Sequence, residues 1–253
     1  MSAASPATRQ RLDDLLVGRG LFQTRSRARD AIERGTISVS GKVETRPGRP
    51  VEPGAEIVVE DPARGYVSRS ALKLVAALDH FVIDVAGAAA LDVGASTGGF
   101  TQVLLERGAA SVIALDVGSD QLHETLRADP RVLVIEGLNA RDLTVDHLGG
   151  VRPQIVAADV SFISLKLALP PALALAAPGA AAALLVKPQF EAGREAIGKG
   201  GLLRDPALGP RIAEDLVAWL DVQPGWRSLG VIVSPIQGGD GNREFLLGGR
   251  KDR

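Results

Sequence analysis

The sequence predicts an α/β protein with a mainly parallel, doubly wound sheet that contains one antiparallel strand, preceded by a small α+β domain. Two observations predict the sheet. A buried strand, a glycine turn and a helix start lie in the stretch AALDVGASTGGF at 89–100, and apolar runs alternate with helical segments after it. Charge predicts the small domain, because residues 1–50 hold ten Arg or Lys and five Asp or Glu in a chain of net charge −1.

The first module is predicted to contain two helices followed by short strands. Residues 1–8 show little pattern, and we expect them to be mobile. Thr24 is the expected cap of the second helix, on which Arg25, Arg29 and Arg34 lie mostly outward. The helices are predicted at 9–17 and 25–34, and the strands at 37–39 and 56–60.

The basic side chains of this module predict a surface that follows phosphates, as in proteins that bind nucleic acid. An ordinary solvated charged face remains the alternative, since charge alone does not separate the two. The candidate RNA-binding residues are Arg9, Arg11, Arg25, Arg27, Arg29, Arg34 and Lys42.

The segment 61–67, which contains a proline and a glycine, is predicted to link a domain at 1–60 to a larger domain at 68–253. Ser68 or Ser70 is expected to cap the first helix of the larger domain. A final strand follows its predecessor after a short loop and should therefore be antiparallel to it. The strands are predicted near 89–93, 111–115, 132–135, 154–158, 181–186, 229–233 and 245–247.

Composition excludes several classes of site. The chain has no cysteine, which excludes disulfides, thiolate metal ligands and cysteine nucleophiles, and its three histidines lack metal-ligand spacing, so we expect no metal. Residues 167–186 carry no charge over a length that could cross a bilayer, but their prolines predict a short helix at 171–177 and a buried strand at 180–186. Because no signal peptide is visible, we expect a cytoplasmic protein without stable membrane association.

The glycine turn could bind either of two nucleoside cofactors or be a plain tight turn. A dinucleotide requires a middle glycine to admit its pyrophosphate, and Ser96 stands there. S-adenosylmethionine has no phosphate, and its cationic groups favour a carboxylate such as Asp92. Asp116, which ends the next strand, is placed to bind a ribose. We therefore expect S-adenosylmethionine, bound by Asp92, Gly94, Ser96, Thr97, Gly98, Asp116 and Asn139.

Local roles are expected for some of these residues. Thr97 is the predicted N-cap of the helix that follows the turn. Glu136, Asn139 and Asp142 follow the third strand of the sheet and are expected near the adenine, although Asp142 could equally be a helix cap.

Four charged residues are expected at one cleft beside this turn. Asp159 and Lys187 each follow a buried strand, and Glu244 begins a strand that runs the other way, so all three lie at one edge of the sheet. Lys73, which lies away from the apolar face of its helix, could be the fourth. The alternatives are a structural ion pair for Asp159 and Lys187, a solvated lysine for Lys73 and a loop carboxylate for Glu244.

Two resemblances cover the chain. The order RLDDLL, TRSRAR and IERGTISVSGK, between residues 11 and 42, resembles the S4 RNA-binding domain. Over essentially the whole length, YVSRSALKL, LDVGASTGGF, ADVSFISL, VKPQFE and GNREF look like the TlyA family of S4-bearing, FtsJ-like ribosomal RNA 2′-O-methyltransferases, which are also labelled haemolysins.

The resemblance implies a Rossmann-like methyltransferase fold, S-adenosylmethionine as cofactor and ribosomal RNA, within ribosomal subunits, as partner. It implies methyl transfer to a ribose 2′-hydroxyl of cytidine and a catalytic tetrad of Lys73, Asp159, Lys187 and Glu244. Two other classes stay open: a membrane-active haemolysin, and a non-catalytic RNA-binding factor in ribosome assembly.

The chemistry follows from the residue types. A ribose hydroxyl is a poor nucleophile, and Lys187 is the candidate to orient it or to take its proton. A second lysine nearby favours the neutral amine, whereas the two carboxylates favour the ammonium. Residues 192–203, rich in glycine and carrying Arg194 and Lys199, are either a flexible loop that closes over RNA or a plain surface loop.

Overall fold

The computed structural model describes residues 8–252, which divide into two compact units, one ending at Gly65 and the other beginning at Tyr66. Of the eight N-terminal residues that we expect to be mobile, the first seven lie outside the described part of the chain. We describe each unit by itself.

The first unit packs two helices against short antiparallel strands. Thr24 Oγ1 accepts a hydrogen bond from Arg27 N at 3.3 Å, so the predicted cap of the second helix is confirmed. The first helix begins at Leu12, later than predicted, because the two residues before it pair with an unpredicted strand. The elements are β1 (Gln10–Arg11), α1 (Leu12–Gly18), α2 (Arg25–Glu33), β2 (Ile37–Val39), β3 (Lys42–Val43), β4 (Pro50–Val51) and β5 (Ile57–Val59).

Two buried carboxylates in this unit each bind two arginines. Asp13, with none of its surface exposed, accepts hydrogen bonds from Arg11 Nη2 at 2.9 Å and Arg25 Nε at 3.0 Å. Burial alone would raise the pKa of Asp13, but the two guanidinium groups outweigh it and lower that pKa to about 2. Glu44 is likewise buried, and its hydrogen bonds from Arg46 and Arg49 lower its pKa to about 2.

Arg34 does not lie outward, so this part of the helix prediction is wrong. Its side chain is 15% exposed, and its guanidinium group forms two hydrogen bonds with Asp61, at 2.8 and 3.0 Å, and one with Asp30 at 2.9 Å. Asp61 lies beyond β5 and far along the chain, and helical periodicity carries no information about such a partner.

The second unit is an α/β sandwich. Its strands occupy the predicted positions to within a few residues, and the strand that follows the last helix is longer than expected. The elements are α3 (Ala71–His80), β6 (Ala89–Val93), α4 (Gly99–Glu106), β7 (Ser111–Leu115), α5 (Glu124–Arg127), β8 (Val132–Ile135), β9 (Ile155–Ala158), α6 (Leu165–Ala168), α7 (Pro170–Leu175), β10 (Ala181–Val186), α8 (Pro188–Glu191), α9 (Leu208–Asp221), β11 (Trp226–Val233) and β12 (Phe245–Lys251).

The seven strands of this unit form one sheet in the order β11-β12-β10-β9-β6-β7-β8. β12 is antiparallel to both of its neighbours, and the pairs among β8, β7, β6, β9 and β10 are parallel. The predicted doubly wound sheet with one antiparallel strand is confirmed. The chain reverses its direction of winding between β6 and β9, which is where ligands bind in such sheets.

Helices cover both faces of the sheet. α3 and α4 pack on one face, and α6, α7 and α9 pack on the other. Along β10 the side chains alternate between the two apolar clusters, as strands buried on both faces require. The uncharged stretch at 167–186 forms α7 and β10, and among the described residues no helix is both long and apolar enough to cross a bilayer.

Two predicted helix caps differ from the structure. Gly98, not Thr97, occupies the N-cap of α4, with φ +98°, and a β-carbon there would lie 2.3 Å from Leu126 Cδ1. The backbone conformation therefore favours glycine, and a side chain there would also require the leucine side chains to move. Ser70 stands at the N-cap of α3 but makes no capping bond with its side chain; Ser68 Oγ accepts from Ser70 N at 3.2 Å.

We predict that Asp13→Asn destabilises the first unit by about 2 kcal/mol at pH 7. The folded pKa of Asp13 lies below its ordinary value of 3.8, so its contribution is present above that value and is lost as the pH falls towards 2. Urea unfolding at pH 7 and at pH 3 measures the difference. Asp14→Asn is the control, because Asp14 contacts the same arginines from an exposed position; equal effects of the two substitutions would contradict the prediction.

Candidate active site

The site lies beyond the carboxyl ends of the parallel strands, where β6 and β9 are neighbours. Val93 pairs with Ala158, so Gly94 and Asp159 leave the sheet side by side. Gly94 has φ +83°, and a β-carbon there would lie 2.6 Å from the carbonyl oxygen of Asp159, which only glycine tolerates. A cavity of about 690 Å³ opens at this point.

Most of the predicted cofactor residues lie at the cavities of this edge. Gly94, Ser96, Asp116 and Asn139 line the large cavity, and Thr97 lines a smaller one of about 160 Å³. Asp92, within β6, and Gly98, at the end of the turn, line neither cavity.

The residues after β7 and β8 fix the floor of the large cavity. Asp116 accepts hydrogen bonds from the backbone amides of Ser96, at 2.8 Å, and Gly118, at 2.7 Å. Asn139 lines the cavity and also accepts from Arg141 N at 3.1 Å, so it caps the short turn of 3₁₀ helix at 140–142. The helix-cap alternative for Asp142 is therefore wrong, and the side chain of Asp142 is exposed without lining either cavity. Glu136 does not line the cavities either.

Asp92 is a fully buried carboxylate at the end of β6. Its Oδ2 accepts a hydrogen bond from Thr101 Oγ1 at 2.7 Å, and its Oδ1 has no hydrogen-bond partner among the described residues. Burial raises the pKa of Asp92 to about 7, with a further contribution from the negative charges of Asp159 and Asp116. Asp92 and Asp116 lie at the two strand ends beside the glycine turn and form no ion pair within residues 8–252, an arrangement that favours a cationic ligand.

Lys187 forms an ion pair at the end of β10. Its Nζ lies 2.6 Å from Asp159 Oδ1 and donates a hydrogen bond to Ser161 Oγ at 2.7 Å. The ion pair between Asp159 and Lys187, which was the structural alternative for these two residues, is therefore present. Both side chains are mostly buried, yet both line the small cavity, so the pair also faces a space that a ligand can enter.

Lys73 forms a second ion pair with Glu244. Its Nζ lies 2.5 Å from Glu244 Oε2, and both side chains are buried. The alternative of a solvated lysine is therefore wrong; Glu244 does lie in the loop just before β12, but its carboxylate is buried and ion-paired. Lys73 does lie away from the apolar stripe of α3, but the chain that enters β12 covers it.

The sheet register brings the two ion pairs to the same edge. Val186 pairs with Phe245, so Lys187 and Glu244 are adjacent on neighbouring strands. The small cavity, which Lys187 and Asp159 line, shares Gly94, Ser96, Asp159 and Ser161 with the large one. A ligand in the large cavity is therefore directly beside the Lys187–Asp159 pair.

The predicted RNA-binding residues of the first unit are mostly half-exposed and ion-paired. Arg11 and Arg25 are held by Asp13, Arg9 by Glu52 at 2.7 Å, and Arg29 lies 3.9 Å from Glu33. Lys42 is exposed, and Arg27 Nη1 donates to Gln23 Oε1 at 3.5 Å. Arg46 and Arg49, which the sequence did not single out, line a cleft of about 420 Å³ together with Arg9.

Family models match both units: an FtsJ-like methyltransferase model covers residues 66–251, and an S4 domain model covers residues 10–57. The 16S/23S rRNA (cytidine-2′-O)-methyltransferase TlyA of Mycobacterium tuberculosis is 48% identical over 95% of this chain and 90% of its own. The chain belongs to the TlyA family of FtsJ-like methyltransferases.

Two further relatives carry a different name. Hemolysin A of Brachyspira hyodysenteriae is 38% identical over 93% of this chain and 98% of its own length. A solved Streptococcus thermophilus structure, provisionally described as a hemolysin, is 39% identical with a TM-score of 0.74, over 97% of this chain and 90% of that one. The expected membership of the TlyA family is confirmed, and so is its association with the haemolysin label.

The sequence alone missed several residues that line the site. Ser161, Phe162, Ser68 and Ser70 all border the cavities, and Phe162 is 90% exposed with φ +64°. The signal for Ser161 and Phe162 was their place directly after the strand that ends at Asp159. The sequence pattern indicates the two serines only as helix caps.

We predict that Asp92→Asn stabilises the protein at high pH. The folded pKa of Asp92, about 7, lies above its ordinary value of 3.8, so the native state loses stability as the pH rises from 4 to 7. The amide cannot ionise, and its stabilising effect should be about 2 kcal/mol larger at pH 8 than at pH 5. Thermal unfolding at the two pH values measures it. The exposed Asp84→Asn is the control, and a pH-independent effect of Asp92→Asn would contradict the assignment.

Proposed function

We propose that this protein transfers a methyl group from S-adenosylmethionine to the 2′-hydroxyl of a cytidine ribose in ribosomal RNA. The observation that carries the proposal is the arrangement at one sheet edge: Lys187 lines the small cavity, and its ion-pair partner Asp159 lines both that cavity and the nucleoside-sized cavity next to it. The named activity of the 48% identical mycobacterial relative supports the substrate class.

The residues present fit S-adenosylmethionine. Asp92 has a buried oxygen without a partner, and Asp116 and Asp159 add negative charge to the turn, which suits a ligand with a positive sulfur and an amino group. When bound, this cofactor supplies an electrophilic methyl group. Asp116 is assigned to its ribose, Asn139 to its adenine, and the Gly94–Gly98 turn, with Ser96 and Thr97, to its amino-acid end. Asp92 acts from within β6, as a charge rather than a cavity wall.

The chemistry requires a positioned 2′-oxygen that loses its proton as it attacks. Lys187 Nζ is the group that meets this oxygen, and Asp159 and Ser161 hold Lys187 in place. Lys73 and Glu244 form the buried pair behind it and complete the tetrad. Orientation supplies a large part of the rate, because aligning reactants can remove on the order of 7–11 kcal/mol from a barrier.

We predict that Lys187→Ala lowers the rate of methyl transfer about 10³-fold and leaves the affinity for S-adenosylhomocysteine unchanged. The assay measures transfer of labelled methyl to ribosomal subunits from cells that lack this protein, followed by mapping of ribose methylation. Lys166→Ala, at an exposed lysine on α6, is the control.

Two further measurements decide the role of Lys187. If the ammonium orients the oxygen, Lys187→Arg retains activity; if the neutral amine takes the proton, activity rises with pH and the arginine variant is inactive. Full activity of Lys187→Ala would sink the catalytic proposal and leave an RNA-binding assembly factor.

The first unit is assigned to RNA, through phosphate contacts from its exposed basic residues. We predict that Arg29→Ala and Lys42→Ala each weaken binding to ribosomal RNA fragments about tenfold at low salt and reduce the salt dependence by about one phosphate contact. Filter binding at several salt concentrations measures both quantities. Arg227→Ala removes an exposed charge from the second unit as a control; an equal loss in that variant would argue against the assignment.

The haemolysin label of two relatives motivates one further test. A liposome-leakage assay with purified protein should show no leakage above that of a protein control. Leakage that persists in Lys187→Ala would establish a membrane activity independent of methyl transfer.

A further inference from the structure

A basic hairpin at residues 194–204 lies beyond β10. It is closed by an antiparallel bridge between Ile197 and Leu203, by Gly198 N donating to Leu202 O at 2.8 Å, and by Arg204 N donating to Ala196 O at 2.9 Å. Arg194, Lys199 and Arg204 are exposed on it, and Arg194 and Lys199 have no salt-bridge partner within residues 8–252. Solvated cations at the edge that holds the active site suit the phosphates of an RNA strand.

A second segment, the glycine loop at 238–244, leads into β12 and ends at Glu244. Gly238 N donates to Asn242 O at 2.9 Å, and Gly241 N donates to Gly238 O at 3.0 Å. A β-carbon on Gly238 would lie 2.6 Å from Glu244 Oε1, so the backbone of this loop lies directly against the carboxylate. The position of Glu244, and therefore of its pair with Lys73, depends on the shape of the glycine loop.

One side chain joins these two segments. Asn242 Oδ1 accepts a hydrogen bond from Leu203 N at 3.3 Å, and Asn242 Nδ2 donates to Gly201 O at 2.8 Å. Asn242 is 4% exposed, so water cannot replace these partners. Both ends of its side-chain amide therefore depend on the hairpin for their hydrogen bonds. A change in the hairpin therefore acts on the glycine loop two residues before Glu244.

We propose that Asn242 is a positioning residue that couples RNA contact at the basic hairpin to the Lys73–Glu244 pair. Phosphates bound by Arg194 and Lys199 hold the hairpin, the hairpin holds Asn242 through two backbone groups, and the glycine loop then holds Glu244 against Lys73. The proposal rests on the proposed function, because it assigns an RNA-dependent role to the same tetrad. It makes the hairpin a sensor of bound substrate rather than a binding surface alone.

The test is a double-mutant cycle between Asn242→Ala and the pair Arg194→Ala/Lys199→Ala, with kcat and the KM for ribosomal subunits measured in each background. Removing the two cations should raise KM and lower kcat about tenfold, and Asn242→Ala alone should lower kcat about tenfold. The triple variant should have the kcat of Asn242→Ala, because the cations act on kcat only through that residue. Its KM should still rise, because the phosphate contacts are lost in either background.

Several outcomes would overturn the proposal. They are multiplicative effects on kcat in the triple variant, an unchanged kcat in Asn242→Ala, or an affinity for S-adenosylhomocysteine that falls as much as kcat does. Ser228→Ala, which removes a hydrogen bond to Asp221 elsewhere in this unit, controls for general destabilisation. If Asn242→Ala does not fold, Asn242→Asp tests the same step, because it keeps the acceptor for Leu203 N and loses the donor to Gly201 O.

Failure of the underlying function is distinguishable from failure of the coupling. If the protein is not a methyltransferase, the unmodified chain transfers no methyl group in the same assay. If only the coupling is wrong, the unmodified chain is active and the two sets of substitutions have multiplicative effects on kcat.

Discussion

The site depends on the direction of one strand. β12 enters the sheet between β10 and β11 and runs against both, so its first residue, not its last, stands at the edge where the parallel strands end. A parallel β12 would move Glu244 to the opposite edge of the sheet, roughly 20 Å away at about 3.3 Å per residue. The pair with Lys73 and the adjacency to Lys187 both follow from this reversal.

Two lysine–carboxylate pairs at one edge are costly, because each ion must leave water and its partner only partly compensates. Apolar residues of similar volume would serve the packing of α3 on the sheet equally well, so stability gives no reason to keep Lys73 and Glu244 buried there. The proposed methyl-transfer function supplies a reason for this costly pair, which lies at the same sheet edge as the cavities. Asp92 is also buried, and it has no cationic partner among the described residues. Burial therefore raises its pKa to about 7.

The sequence predicted the strands and the sheet edge where Asp159, Lys187 and Glu244 gather. Apolar runs mark the strands, and the short loop before the last strand indicates its antiparallel direction. Apart from the Asp159–Lys187 ion pair, which the sequence offered as an alternative, it did not predict ion-pair partners. Whether Arg34 faces solvent or Asp61, and whether Lys73 is solvated or meets Glu244 more than a hundred residues later, is decided by tertiary packing. The predicted cap of α4 was one residue early: the N-cap is Gly98, whose positive φ favours glycine.

Two glycines of the turn contact other parts of the protein and do not only leave room for a ligand. Gly94 allows the backbone after β9 to approach, and Gly98 leaves room for Leu126, so both are required by the protein itself before any ligand is considered. Ser96, between them, adopts φ +46° without being glycine, and its amide is fixed by Asp116. This strained serine is one of the four residues that border both cavities. The shape of the turn is therefore set by its contacts with the chain that follows β9, with α5 and with Asp116.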